Sequence, residues 1–204
     1  MKLIKLDVEL NSVIIGERVK GGIYRPCLET IPSSTVKGAF KSALGIEVKG
    51  AGVFDKDTYE IREIVYSIHD RYTGVAKIPL TASYLYPRID KIKAIIYISL
   101  KDSIKEDIFK SLKFSIGALK SKGFGRAEVK NVGDVNCNIS QGILKVRVLV
   151  EDASALHIEP ISAVYGYLFH PENLVSGIYK KALFEGSLVK APDVFLEEVT
   201  YYDE

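Results

Sequence analysis

Apolar and polar residues alternate from the start of the chain, with Ile4, Leu6, Val8 and Leu10 on one side and Lys5, Asp7 and Glu9 on the other. A period of two marks a half-buried β-strand, because successive side chains of an extended backbone point to opposite faces. A loop containing Gly and Pro follows, from residue 16 to 32. The period then changes. In residues 33–44, Val36, Phe40 and Leu44 recur every four positions with Ala39 and Ala43 beside them. The hydroxyls of Ser33, Ser34 and Thr35 can cap its start, so the segment is predicted to be a helix despite Gly38.

After a glycine-punctuated stretch at 45–52, a second strand is expected over 59–68. Residues 70–90, with Pro79 and Pro87, carry turn signals and predict a long loop or irregular insertion. Ile92, Ala94, Ile96, Ile98 and Leu100 mark the next strand, opposed by Lys93, Ile95, Tyr97 and Ser99. Ser103 and Glu106 have the spacing of a capping box, and Ile104, Ile108, Leu112, Ile116 and Leu119 form the apolar stripe of a predicted second helix. The glycine-rich segment 117–126 ends that helix, and 127–132 reads as a further strand. Strand, helix, strand, strand, helix, strand predicts an α+β, ferredoxin-like domain with an antiparallel sheet over residues 1–135. Beyond it, Leu144, Val146, Val148 and Val150 alternate as a strand, and a helical piece is expected near 174–184. No polar linker separates this region, so 136–204 is expected to be a C-terminal extension or a degenerate second module packed on the first.

Composition narrows the class. The 204 residues are 47% hydrophobic and 26% charged, as in a chain that buries a real core. No apolar run approaches the roughly 20 residues that span a bilayer, and charges interrupt the N-terminal apolar run, unlike a signal peptide. A cytoplasmic protein with no membrane partner is expected. The net charge of +2 argues against bulk electrostatic binding of nucleic acid but leaves room for local basic patches. Acid is concentrated at the end, in Asp193, Glu197, Glu198, Asp203 and Glu204. Cys27 and Cys137 lie far apart without metal-ligand spacing, which predicts two partly buried thiols, and neither a metal nor a cofactor is expected.

Two segments carry candidate chemistry. Between residues 117 and 126, Gly117, Gly123 and Gly125 are interleaved with Lys120, Lys122 and Arg126 and with Phe124. One glycine would suffice to end a helix. Several let a backbone approach a phosphate and present its N–H groups, while cations neutralise charge and an aromatic stacks on an unpaired base. The alternative is a tight basic turn with Phe124 folded into the core. The second segment is the start of the first helix. There Ser33, Ser34 and Thr35 sit where free N–H groups and the helix dipole favour phosphate, and Lys37 and Lys41 share one face. Its alternative is a capped amphipathic helix with solvated lysines.

Together these segments carry a resemblance. Ile31-Pro32-Ser33-Ser34-Thr35-Val36-Lys37-Gly38-Ala39-Phe40 resembles the "I-P-G-S-S-L-K-G-A" opening of the first helix in the RAMP superfamily of CRISPR-associated proteins. Lys120-Ser121-Lys122-Gly123-Phe124-Gly125-Arg126 looks like that superfamily's glycine-rich loop, "S-R-G-F-G-R". Ser33 stands where the family usually has glycine, a departure that bears on how tight that turn is. The resemblance implies a guide-RNA-binding subunit of a type III-like effector complex, with other effector subunits as partners and target RNA as a further one. The segment 76–83 is similar to a stretch of the cap subunits that hold the five-prime handle of the guide, with a backbone subunit lining the guide as the alternative. The implied RNA-binding residues are Ser33, Ser34, Lys37, Lys41, Lys120, Lys122, Gly123, Phe124, Gly125 and Arg126, while Arg71, Tyr72 and Arg88 of the long loop are placed to reach either RNA or a neighbouring subunit.

Catalysis has weaker support. RAMP-fold guide-processing nucleases often use a histidine as general acid or base, yet His69, His157 and His170 fall neither after the first strand nor in the first helix. Asp55, Asp57 and Asp70 lie in or beside candidate loops, where an aspartate could act with a metal on target RNA or could simply shape a turn. Asp70 is the candidate catalytic residue. No P-loop, dinucleotide fingerprint, zinc-protease motif or triad signature occurs. The reading is a non-catalytic RNA-binding subunit, with an endoribonuclease that processes guide or cuts target RNA as the alternative.

Overall fold

The structure is a computed structural model that describes residues 2–16, 23–67, 72–75, 78–100, 104–135, 138–171 and 176–197. The opening alternation forms β1 (Lys2–Leu10), with Ile4, Leu6, Val8 and Leu10 buried. Two short strands, β2 (Tyr24–Arg25) and β3 (Thr30–Ile31), lead to α1 (Ser33–Leu44), which buries Val36, Ala39 and Phe40. The helix begins after Pro32 without the predicted side-chain cap and stops at Gly45, whose φ of 71° suits a residue without Cβ. The glycine-punctuated stretch is itself a strand, β4 (Lys49–Phe54). Its glycines permit close sheet packing, since a Cβ at Gly50 would lie 2.5 Å from the Tyr97 carbonyl oxygen.

The hairpin of β5 (Tyr59–Tyr66) and β6 (Leu80–Pro87) replaces part of the loop expected at 70–90. Pro87 ends β6 and Pro79 precedes it, so neither interrupts the pairing. Then β7 (Ile92–Leu100) runs as predicted. The second helix does not form. In its place are a 3-10 turn at Glu106–Phe109, the short β8 (Lys113–Ser115) and another 3-10 turn at Lys120–Lys122. The predicted stripe omitted Phe109 and Phe114, yet these are the residues that pack on Phe40, with ring centroids 5.5 and 5.2 Å away. Burying both rings requires a backbone that turns, and Ser111, Gly117 and Leu119 take positive φ to provide it. Ser103 of the capping box lies outside the described residues. The next strand is β9 (Arg126–Asp134).

Beyond it come β10 (Ile139–Ile143), β11 (Val148–Leu149), α2 (Val150–Ala153), β12 (Glu159–Ser162), β13 (Tyr165–Pro171), β14 (Gly177–Leu183) and β15 (Leu188–Pro192). The strand expected from 144 shrinks to β11, with Leu144 in an isolated bridge to Leu196. Of the helix expected near 174–184, residues 174 and 175 lie outside the described residues and Gly177–Leu183 is instead β14, paired along its length with β13.

The chain is α+β and dominated by antiparallel sheet. Its main sheet has the order β3-β4-β7-β1-β9-β8, with every pairing antiparallel. One face buries Ile4, Leu6, Ile96 and Ile98 beneath Phe40, Phe109 and Phe114. The other contributes Leu3, Ala51 and Tyr97 to a second core shared with Leu144, Val148, Leu156, Val189 and Phe195. Among the described residues, three small sheets, β2-β6-β5, β10-β15-β12 and β11-β14-β13, accompany the main sheet.

Candidate nucleic-acid interface

The glycine-rich segment is tied down at both ends. Gly117 has φ 82°, and a Cβ there would come within 2.2 Å of the Ile14 carbonyl oxygen, which accepts the Ala118 N–H at 2.8 Å. At Gly125, φ is 70°; its N–H donates to the Ser12 carbonyl and its own carbonyl accepts from the Ile116 N–H, each at 2.8 Å. These two glycines let the segment cross between 12–14 and Ile116. Gly123, with φ 91°, has open space around it. Phe124 is half-buried and meets Tyr84 edge to face at 5.3 Å, outside the main core. It therefore matches neither sequence-based alternative in full.

The two candidate segments meet. Ser34, Thr35 and Gly38 of α1 face Gly117, Ala118 and Lys120 across a cleft of about 290 Å³. Leu168 and Phe169 of β13 supply a further wall, which nothing in the sequence reading anticipated. The Thr35 and Val36 N–H groups already donate to the Pro32 carbonyl at 3.0 and 3.1 Å. At this end of α1 the cleft is therefore lined by the hydroxyl residues Ser34 and Thr35 and by bare backbone at Gly38. Lys120 is exposed overall, and partial desolvation of its ammonium holds its pKa below the ordinary lysine value.

Other predicted residues are placed elsewhere. Ser33 is fully buried; its Oγ accepts the Leu149 N–H at 2.8 Å and its own N–H donates to the Arg147 carbonyl at 3.0 Å. It fastens α1 to the C-terminal part of the chain. Lys37 lies 3.6 Å from both Glu47 and Glu151, and Lys41 donates to Glu47 at 2.9 Å. Glu47 is held below the usual carboxylate range first by Lys41, and Glu151 first by Lys180. The helix lysines are thus matched with carboxylates rather than turned into the cleft.

The remaining cations of the segment face different hollows. Lys122, Gly123 and Phe124 border one of about 410 Å³ with Asn11, Tyr86 and Asp90. Arg126 borders another of about 400 Å³ with Lys91, Lys113 and Lys130. Lys130 there is paired with Glu128 at 2.9 Å and Glu9 at 3.7 Å. The cleft thus brings together Ser34 and Lys120 from the predicted set, while Lys122 and Arg126 extend a basic edge away from it.

Asp70, His69 and Arg71 lie outside the described residues, as does Cys137. Asp55 caps the turn at Lys56–Thr58, its carboxylate accepting the Asp57 N–H at 3.1 Å. Arg88 donates to the Tyr59 carbonyl at 2.7 Å, and Tyr72 is exposed. His157 sits exposed in a turn with φ 56°; His170 is half-buried, its pKa lowered first by desolvation and then by Lys180 and Lys37. Burial pushes the Cys27 thiol up to about 11, which leaves it unreactive at neutral pH. Among the described residues, no group of three or more His, Cys, Asp or Glu side chains could hold a metal ion, and no helix is long and apolar enough to cross a membrane.

No family profile matches the chain, and no curated protein matches it in sequence. Solved structures do match it in shape. A chain of the Type III-B Cmr-β complex bound to cognate target RNA aligns with a TM-score of 0.54 at 12% identity, over 93% of this chain and 86% of that one. A chain of the same complex bound to cognate target RNA and AMPPnP aligns with a TM-score of 0.53 at 11% identity, over 92% and 86%. At such identities the likeness is one of fold, and it extends over nearly the whole chain.

Proposed function

We propose that this chain is an RNA-binding subunit of a type III-like CRISPR effector complex, holding guide RNA along the cleft between α1 and the segment 117–126. One observation carries the reading: the two family-like segments, more than seventy residues apart in sequence, line the same cleft. The sheet order is consistent with it. Leaving aside the edge strands β3 and β8, β4-β7-β1-β9 puts the first strand in the interior beside the last, the arrangement of a ferredoxin-like domain whose second helix has been worn down to turns. The shape neighbours belong to complexes bound to target RNA, which favours effector subunits and RNA as partners. In this reading Ser34, Lys120 and Gly117 cradle the backbone. Lys122, Gly123, Phe124, Gly125 and Arg126 carry the interface outward, and residues 136–204 form the extension that buttresses α1. The five-prime handle of the guide is the favoured ligand, as for a cap subunit.

The test is titration of labelled single-stranded RNA across a salt series. Replacing Lys120, Lys122 and Arg126 with alanine should weaken binding and reduce the salt slope by about 0.7 for each phosphate no longer neutralised. Lys41→Ala should leave both unchanged, because that charge already faces Glu47. An unaltered affinity and slope in the triple variant would falsify the assignment.

A further inference from the structure

The hairpin of β13 and β14 forms two-thirds of a small sheet whose two faces differ sharply. Leu168 and Ala182 are buried on one, packed with Leu149 and Phe184. On the other, Tyr165 and Tyr167 stand 50% and 63% exposed and the half-buried Phe169 continues the row, while Leu183, paired with Tyr165, closes the end of this face against the second core. The pairing sets Lys181 opposite Tyr167 and Tyr179 opposite Phe169, so the same face also holds a lysine and a further tyrosine that is 49% exposed. Single exposed aromatics need no explanation, but a contiguous set on one face does.

The rings are held in place. Phe169 and Tyr179 meet edge to face at 5.6 Å, and the Lys181 ammonium lies 3.6 Å over the Tyr165 ring. Gly177 leaves room for Phe169, since a Cβ there would fall 2.5 Å from that ring. Successive rings along β13 are about 7 Å apart. That is roughly twice the ~3.4 Å step of a duplex strand, so a chain laid along β13 would be stretched, with its bases separated and open to the rings.

Charge favours one occupant. Neither β13 nor β14 carries an acidic residue, and Lys181 stands on the aromatic face, whereas Lys180 lies opposite Leu168 on the other face and is paired with Glu151. Phe169 belongs to both the aromatic face and the wall of the cleft that Lys120 lines, so the two surfaces are continuous. We propose that the face bearing Tyr165, Tyr167, Phe169 and Tyr179 is a stacking platform for unpaired bases of the RNA whose backbone lies in the cleft. It rests on the RNA-binding reading above and adds how the bases are received.

The experiment uses the full chain and two labelled probes of about a dozen nucleotides, an oligouridine and an abasic ribose-phosphate strand of equal length. Tyr167→Ala and Tyr179→Ala should each weaken oligouridine binding by roughly tenfold without changing the salt slope, and should leave abasic binding as it is. Tyr167→Phe should keep full affinity, since the ring rather than the hydroxyl does the stacking. Equal urea midpoints for all variants establish that the fold is intact. If the alanine variants bind oligouridine normally while Lys120→Ala does not, the platform is overturned and the cleft reading stands. If the wild-type chain binds neither probe, both fall. Variants that retain RNA affinity but no longer co-purify with effector subunits would assign the face to a protein partner and overturn the platform as well.

Discussion

A methyl group on Gly125 would sit 1.8 Å from the Ile116 carbonyl oxygen, and one on Gly117 2.2 Å from that of Ile14, whereas one on Gly123 meets nothing within 4 Å. The three glycines look alike in the sequence and do different work. Gly117 and Gly125 thread the chain between neighbouring backbones; Gly123 only supplies a left-handed turn at the rim of the hollow that Lys122 and Asp90 border. Sequence spacing could identify the segment as special but could not apportion these roles. Gly117 meets Ile14 from the far end of the sheet's first loop, and Gly125 meets Ile116 across a turn that helical spacing conceals. Gly123→Ala should therefore cost about 1 kcal/mol, the usual strain of a non-glycine residue at positive φ. Gly125→Ala should cost more than about 2 kcal/mol, because strain is joined by backbone overlap. Urea denaturation of the two variants checks the ordering; equal losses would show that the segment is looser than the hydrogen bonds at Ser12 and Ile116 imply. The lysines teach a similar lesson. Lys37 and Lys41 share a helix face suited to phosphate, but Glu47 just past the end of α1 and Glu151 from far along the chain reach them, and helical spacing announces neither.

Elements whose own residues decide their fate were legible: β1, α1 and β7 follow from periodicity, the strands burying the face their pattern marks and α1 burying its first two turns at Val36, Ala39 and Phe40. Elements decided by distant partners were not. The stripe from Ile104 to Leu119 has helical spacing, yet Ile108 is 39% exposed while Phe109 and Phe114 are buried against Phe40. Two aromatic rings outweigh a few tenths of a kcal/mol of propensity per residue. Likewise β14 is a strand because β13 pairs with it, and β4 because β7 accepts its glycines. The start of α1 shows the same dependence. It lacks a side-chain cap, and the buried Ser33 instead joins the helix to β11 through the Leu149 N–H. Ser33→Ala would leave that buried N–H without its acceptor, at a cost of about 1–3 kcal/mol. Hydrogen exchange should then rise selectively at Leu149. A loss of stability with no change there would place the effect within α1 instead.

The main sheet is coated on both faces, and the second coat comes entirely from the part of the chain beyond residue 135. Leu3, Ala51 and Tyr97 project from the sheet into a core completed by Leu144, Val146, Val148, Leu156, Val189 and Phe195, with the Phe195 ring edge-on to Tyr97 at 5.6 Å. Which sheet face this part covers depends on β4, the strand hidden in the glycine stretch. This arrangement ties the cleft to the C-terminal part in two ways. Phe169 and Leu168 form one of its walls, and Ser33 anchors the helix that forms another. A chain built so should unfold as one unit rather than as a domain with a detachable tail. Scanning calorimetry should give a single transition whose calorimetric and van't Hoff enthalpies agree. Phe195→Ala, which empties a fully buried site in the second core rather than the one that buries α1, should destabilise the whole chain by about 3–5 kcal/mol. The same substitution should weaken RNA binding only through the unfolded fraction, so affinity measured well below the melting temperature should match the wild type. Two resolved transitions, with Phe195→Ala moving only one, would instead divide the molecule at residue 135 and make the cleft an interface between separately folding parts.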